Sequence, residues 1–236
     1  MHRRSLLPLC LMFVTLGACA RQEAAPAAAP TAAAPAAPAS TPAPTVSPLQ
    51  PNAALSPELQ AHLVRPHSPV IGPANAPVTL VEFLDPACGA CAAFSPVVKQ
   101  IQLLYPKEVR VVVRFAPFHQ GSDQAIRLLV ASKAQGKFEP VLDALFERQE
   151  EWASHQAPNI PHIGKIATDV GVDLPKARVD AASPAATAVL QQDNEDIVAL
   201  KVERTPTFYV NGRSLDDFGP EQLLGLVREE VEKTKK

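Results

Sequence analysis

Cysteine is scarce in this sequence, with four residues in 236, and so are tryptophan (one), tyrosine (two) and methionine (two). So few cysteines exclude a disulfide-knitted scaffold, whose small core needs several bridges. Excess charge is also lacking: 22 basic against 24 acidic side chains give a net charge of -2. With no basic face to neutralise phosphates, nucleic acid is excluded as a partner. The short basic run Lys233, Lys235, Lys236 fits the preference for cations at a helix C-terminus. A second CxxC and a closely spaced histidine pair are both missing, so no zinc site is completed and neither metal nor organic cofactor is expected.

Proline is plentiful, with 25 residues, and it is unevenly placed. Residues 1–18 read as a signal peptide, with a cationic start at His2, Arg3 and Arg4 and an apolar stretch from Leu6 to Leu16 too short to span a bilayer. The next stretch, Leu16-Gly17-Ala18-Cys19, resembles the lipobox of bacterial lipoproteins, which implies cleavage before Cys19 and its acylation; an ordinary signal peptide cut nearby, with Cys19 a bystander, is the alternative. From Ala24 to Pro57 the chain is Ala, Pro, Thr and Ser with nine prolines at irregular spacing, which forbid a continuous helix. Residues 19–57 are therefore expected to be a lipidated N-terminus and tether. In polyproline II, at about 3.1 Å per residue, roughly thirty such residues reach up to about 100 Å.

The part able to form a core runs from about residue 69 to residue 236 and suffices for one domain. Val78 to Leu84 is a β-rich run of the buried type. After the cysteines Ala92, Phe94, Val97, Val98, Ile101, Leu104 and Tyr105 recur at helical spacing up to Pro106, with Pro96 inside. Val109 to Phe115 gives a second strand and completes a β-α-β unit. From about 120 to 200 strand signals vanish, and apolar spacing suggests three or four helices, a helical insertion. Thr207 to Val210 is again a strand, followed by Asn211-Gly212, a type I′ turn signal, and a partner strand at Arg213 to Leu215. A last helix starts at Pro220.

Of the four cysteines, Cys10 goes with the signal peptide and Cys19 to lipid, leaving Cys88 and Cys91. A lone CxxC in an exported domain points to redox chemistry. The pair lies where the first strand meets its helix, so unpaired amides at the helix N-terminus should favour a thiolate at Cys88. At pH 7 a pKa of about 8.5 leaves a cysteine only ~3% ionised, whereas 6.5 makes it about three-quarters thiolate. Cys91, one turn further in, should be more buried and resolve a mixed disulfide. Pro206, immediately before a strand, is unusual in a sheet and either starts an edge strand or serves a site.

Together, EFxDxxCxxC at Glu82 to Cys91, the stretch Gln135 to Trp152, and TPTFxVNG at Thr205 to Gly212 resemble DsbA-like thioredoxin-fold proteins. The resemblance extends from about Pro69 to Val231. It implies an α/β thioredoxin fold with an inserted helical domain and a thiol–disulfide oxidoreductase acting on exported proteins. Cys88 would then attack, Cys91 resolve, Pro206 be a cis-proline and Thr205 contact the client backbone. Glu82 matches a buried acid of the family that could take the Cys91 proton; a strand-end glutamate facing water is the alternative. His119 and Trp152 are read as structural. Gly89-Ala90 stands where the strong oxidases carry Pro-His, so one stabiliser of the Cys88 thiolate is absent. The resemblance implies a dithiol oxidase with cysteine-containing exported proteins and a membrane redox partner as its partners. Its alternatives are a reductase or isomerase kept reduced by that partner, and a non-catalytic peptide-binding lipoprotein. Lipidation at Cys19 implies the periplasmic side of a bacterial membrane. The outer membrane is preferred, because Ala20 is not the aspartate that retains lipoproteins in the inner one.

Overall fold

In the computed structural model, which describes residues 54–154 and 157–236, three runs of β-branched and aromatic residues build the sheet. The elements in chain order are α1 (Pro57–Gln60), β1 (Val70–Ile71), β2 (Val78–Leu84), α2 (Gly89–Leu104), β3 (Val109–Phe115), α3 (Ser122–Lys133), α4 (Phe138–Glu147), α5 (Gln149–Trp152), α6 (Ile160–Asp169), α7 (Leu174–Ala181), α8 (Pro184–Leu200), β4 (Thr207–Val210), β5 (Arg213–Ser214) and α9 (Pro220–Thr234). The sheet order is β1-β3-β2-β4-β5, with β2 and β3 parallel and the other neighbours antiparallel. A thioredoxin-type mixed sheet with helices around it is thus present, and α3 to α8 form the insertion between β3 and β4. The expected signal peptide 1–18, the lipid site Cys19 and all but the end of the 19–57 linker lie outside the described residues.

Three details differ from the sequence reading. Among the described residues the insertion holds six helices rather than three or four, because punctuation splits it more finely than apolar spacing reveals. Gly136 and Gly171 take left-handed φ of +67° and +87° between helices, and Pro161, Pro175 and Pro184 each sit in the first two positions of a new one. Helix α7 buries only Ala177, so it has no apolar stripe to read. Secondly, the fold begins before residue 69. The Leu55 amide donates to the Gly212 carbonyl at 2.8 Å, α1 is capped by Ser56, and Leu63 is buried. Thirdly, the two-residue strand β1 pairs with β3 and was too short to be legible.

Because side chains alternate along a strand, β2 and β3 feed two cores. Val78, Leu80, Leu84, Val109, Val111, Val113 and Phe115 pack with α2, α9 and most of the insertion. Val81, Phe83, Val112 and Ala116 pack on the opposite side with Leu63 and the C-terminal end of α8. The Asn211-Gly212 turn has φ of +47° and +80°, as a type I′ turn requires. It is the positive φ that calls for glycine at 212; a Cβ there would only push aside the flexible end of the Gln60 side chain.

Candidate active site

Pairing register brings the separated segments of the site together. Strand β4 runs antiparallel to β2 with Thr207 opposite Phe83 and Phe208 opposite Glu82. Pro206 therefore arrives beside the end of β2, where the chain turns into α2. The Thr205–Pro206 peptide bond is cis.

Cys88 is the N-cap of α2, with extended backbone (φ -80°, ψ 119°) and no side-chain cap of the helix. It is 7% exposed, whereas Cys91 is wholly buried, and both are free thiols. The Cys88 Sγ lies 3.3 Å from the Thr205 carbonyl oxygen. Once Cys88 is ionised, its sulfur accepts instead. The Cys91 thiol is the strongest donor; against it burial works to raise the pKa, and the Thr205 side chain and the amides of Cys91 and Ala90 lower it further. The net result is a Cys88 thiol brought down to about 5, so at neutral pH it is a thiolate. Cys91 is driven well above the ordinary thiol range, first by burial, then by its bond to Cys88 and the charge of Glu82; the Asp85 amide opposes this. The two sulfurs are therefore pushed apart in acidity, Cys88 toward the thiolate and Cys91 toward the protonated thiol.

Glu82 lies on the central strand β2, opposite Val113 and Phe208, and only 4% of it is exposed, so the alternative of a glutamate facing water does not apply. Burial, and then the Cys88 charge, push its carboxyl up to about 8. It lines a cavity of about 30 Å³ shared with Ser95, Lys99 and Asp143, large enough for one water. A carboxyl with that pKa exchanges protons near neutrality, as an acceptor for Cys91 must.

A groove of about 470 Å³ opens beside Pro206 and is lined by Arg204, Tyr209, Asp216 and Phe218 among others. The Arg204 guanidinium lies 5.8 Å from the centre of the Phe218 ring, which packs on Phe94 at 4.6 Å. Phe218 and Phe118 are 41% and 45% exposed. Trp152 is buried, its indole N–H donating to the Leu145 carbonyl at 2.9 Å. Gln149, from the insertion, donates to the Pro86 carbonyl at 2.9 Å and so touches the turn that carries Cys88.

The structure brings Cys88, Cys91, Glu82, Thr205 and Pro206 to one end of the sheet. Sequence reasoning missed Asp85, which is wholly buried and holds the loop containing His119. Its signal was legible: an Asp before Pro at a strand end, with the Ala87 amide donating to it at 2.8 Å, is an Asx turn.

Comparisons with known proteins agree with this geometry. A family model described as thioredoxin matches residues 65–229. A thioredoxin-like oxidoreductase from Silicibacter pomeroyi DSS-3 superimposes with a TM-score of 0.61 at 30% identity, over 72% of this chain and 94% of that one. Oxidised BdbD from Bacillus subtilis gives 0.63 at 23% identity, over 70% of this chain and 94% of that one. Wolbachia pipientis alpha-DsbA1 gives 0.66 at 15%, over 74% and 96%; at these two lower identities the likeness concerns the fold. Among curated proteins, the Na(+)/H(+) antiporter NhaA of Herminiimonas arsenicoxydans is 34% identical over 144 residues, which are 61% of this chain and 22% of the antiporter. The chain thus spans about a fifth of the length of that relative.

Proposed function

This chain belongs to the thioredoxin family and has the fold of the DsbA-like thiol–disulfide oxidoreductases, and from that premise we propose that it oxidises dithiols in exported proteins. In this reading a client thiolate attacks Sγ of Cys88 in the Cys88–Cys91 disulfide. Cys91 leaves as a thiolate and takes a proton from Glu82. The second client thiolate attacks the client sulfur of the mixed disulfide, forming the client disulfide and releasing Cys88 as a thiolate. Two electrons now reside on the cysteine pair, and a membrane redox partner removes them to renew the disulfide. The Thr205–Pro206 segment holds the client backbone beside Cys88, and the groove lined by Arg204 and Phe218 takes its side chains.

The observation that carries this reading is the Cys88 sulfur, ringed by donors and brought down to about 5. A stabilised Cys88 thiolate is a good leaving group, and it stabilises the reduced pair, which makes the disulfide an oxidant. Gly89-Ala90 adds no cation. The potential should therefore lie between about -270 mV, as in thioredoxin, and about -120 mV, as in DsbA. We place the protein at the periplasmic face of a bacterial membrane, held by acylated Cys19, with the outer membrane preferred. That antiporter relatives carry a similar stretch, 22% of the length of one and 27% of another, supports work beside a membrane.

Equilibration with glutathione tests the proposal. A value inside the interval is expected. One at or below that of thioredoxin would overturn the oxidising direction in favour of a reductase or isomerase. A pair that exchanges with no thiol at all would leave only the peptide-holding lipoprotein.

A further inference from the structure

We infer that Asp85 is a positioning residue for the exchange reaction: its carboxylate clamps the turn before the cysteines so that its own backbone N–H stays against the Cys91 sulfur. The inference rests on Cys88 and Cys91 being the exchanging pair. It assigns a task to a buried acid that this reaction does not otherwise use.

The clamp is dense. Oδ1 accepts from the Ala87 amide at 2.8 Å and from the Ser122 hydroxyl. Oδ2 accepts from the amides of Phe118 and His119 at 2.8 and 2.9 Å, and from His119 Nδ1 at 2.8 Å. Five donors saturate a carboxylate, which has about four lone-pair sites. They come from three places: the cysteine turn itself, the loop after β3, and the first residue of α3. None of these can move without breaking bonds to a side chain sealed from water.

What the clamp holds is the peptide on either side of it. The Asp85 carbonyl accepts from the Cys88 amide at 3.0 Å, which fixes the start of α2. The Asp85 N–H donates to Cys91 Sγ at 3.4 Å. In resolution of a mixed disulfide, the Cys91 thiol gives its proton to Glu82 and its sulfur becomes an anion. That thiolate attacks Cys88 Sγ, the bond from Cys88 to the client breaks, and the client leaves as a thiolate. A donor already aimed at Cys91 stabilises the charge as it forms and needs no reorganisation. Burial otherwise opposes that charge, and the Asp85 amide is the contribution that lowers the Cys91 pKa.

Reaction of the reduced protein with 5,5′-dithiobis(2-nitrobenzoate) separates the steps. Attack by Cys88 releases one thionitrobenzoate in a reagent-dependent phase, and attack by Cys91 releases a second in a reagent-independent phase. Asp85→Asn keeps the volume but turns an amide group toward existing N–H donors, so the clamp loosens. The second phase should slow about tenfold, while the first, set by donors to Cys88 that Asp85 does not supply, stays within about twofold. A merely structural role would disturb both phases together. Ser122→Ala withdraws one donor and should slow the second phase about threefold; if Asp85→Asn does not fold, this variant decides alone. A second phase unchanged in the folded variants, or both phases slowed alike, would overturn the inference. Absence of any second phase in the unaltered protein would instead defeat the reading of the cysteine pair.

Discussion

Glu82 and Arg114 stand on neighbouring strands, one step apart in register: Glu82 pairs with Val113 and Phe83 with Arg114. Both are buried, yet they face opposite sides of the sheet and meet opposite fates. On the α2 side, no ion pair among the described residues involves Glu82, and burial pushes its carboxyl up to about 8. On the α8 side, Arg114 lies 2.7 Å from Asp193 and 2.6 Å from Asp196. Asp193 also accepts from the Phe115 amide at 2.8 Å. Burial alone would raise Asp196, but hydrogen bonds from Arg65, His62 and Arg114 hold it well below the usual carboxylate range. A buried group left without a counter-charge becomes a proton store. A buried group surrounded by partners becomes a fastening, here of the segment before β1 to α8. Sheet alternation keeps the two from neutralising each other.

The largest effect should come from breaking the fastening. Arg114→Met preserves bulk but leaves Asp193 and Asp196 buried without their shared cation, and removing one partner of such a cluster costs about 3–5 kcal/mol. Urea unfolding should show that loss, while the Cys88 reaction rate per folded molecule stays as it was. A loss below 1 kcal/mol, an order-of-magnitude bound, would mean that Arg65, His62 and His67 suffice without it.

Glu82→Gln tests the other face. The folded-state pKa of Glu82 is raised, so the folded protein keeps a proton that the unfolded chain gives up. The associated stability is fully present below the ordinary glutamate value of about 4.3 and is lost as pH rises toward about 8. Cys88, which is depressed, contributes with the opposite sign, but it is common to both proteins. The difference between the unaltered protein and Glu82→Gln should therefore fall by a few kcal/mol across that window and level off above it. Parallel stability curves from pH 5 to pH 8 would show that Glu82 is ionised in the fold and cannot store the proton.

How much of this was legible depends on whether the cause was local. The strands at Val78–Leu84 and Val109–Phe115 match the reading residue for residue, because each is an unbroken β-favouring run. The placement of Cys88 at a helix start followed from the strand-to-helix junction alone. The Arg114 cluster was not legible: its members lie as far apart as His62 and Asp196, 134 positions in the chain, and nothing in the local pattern marks Arg114 as inward. Likewise Asp85 could be read as an Asx turn but not as the meeting point of Phe118, His119 and Ser122. The start of the fold was misjudged for the same reason, since residues 54–68 carry little apolar period and are held by hydrogen bonds and ion pairs.

The smallest expected effect sharpens the comparison by probing the edge of the fastening. His67 Nε2 lies 2.7 Å from Asp193 Oδ1, but its side chain is 23% exposed and the same carboxylate keeps Arg114 and the Phe115 amide. Its backbone is held independently, the His67 carbonyl accepting from Lys133 Nζ at 2.6 Å. His67→Ala therefore leaves no buried charge unpaired and removes one hydrogen bond that water can partly replace. The cost should be about 1 kcal/mol in urea unfolding, with both phases of the disulfide reaction unchanged. A cost of about 3 kcal/mol or more would show that Arg114 alone cannot satisfy Asp193. A change in the Cys91 phase would mean that strain passes through the sheet from Arg114 to Glu82, so that the two faces are coupled.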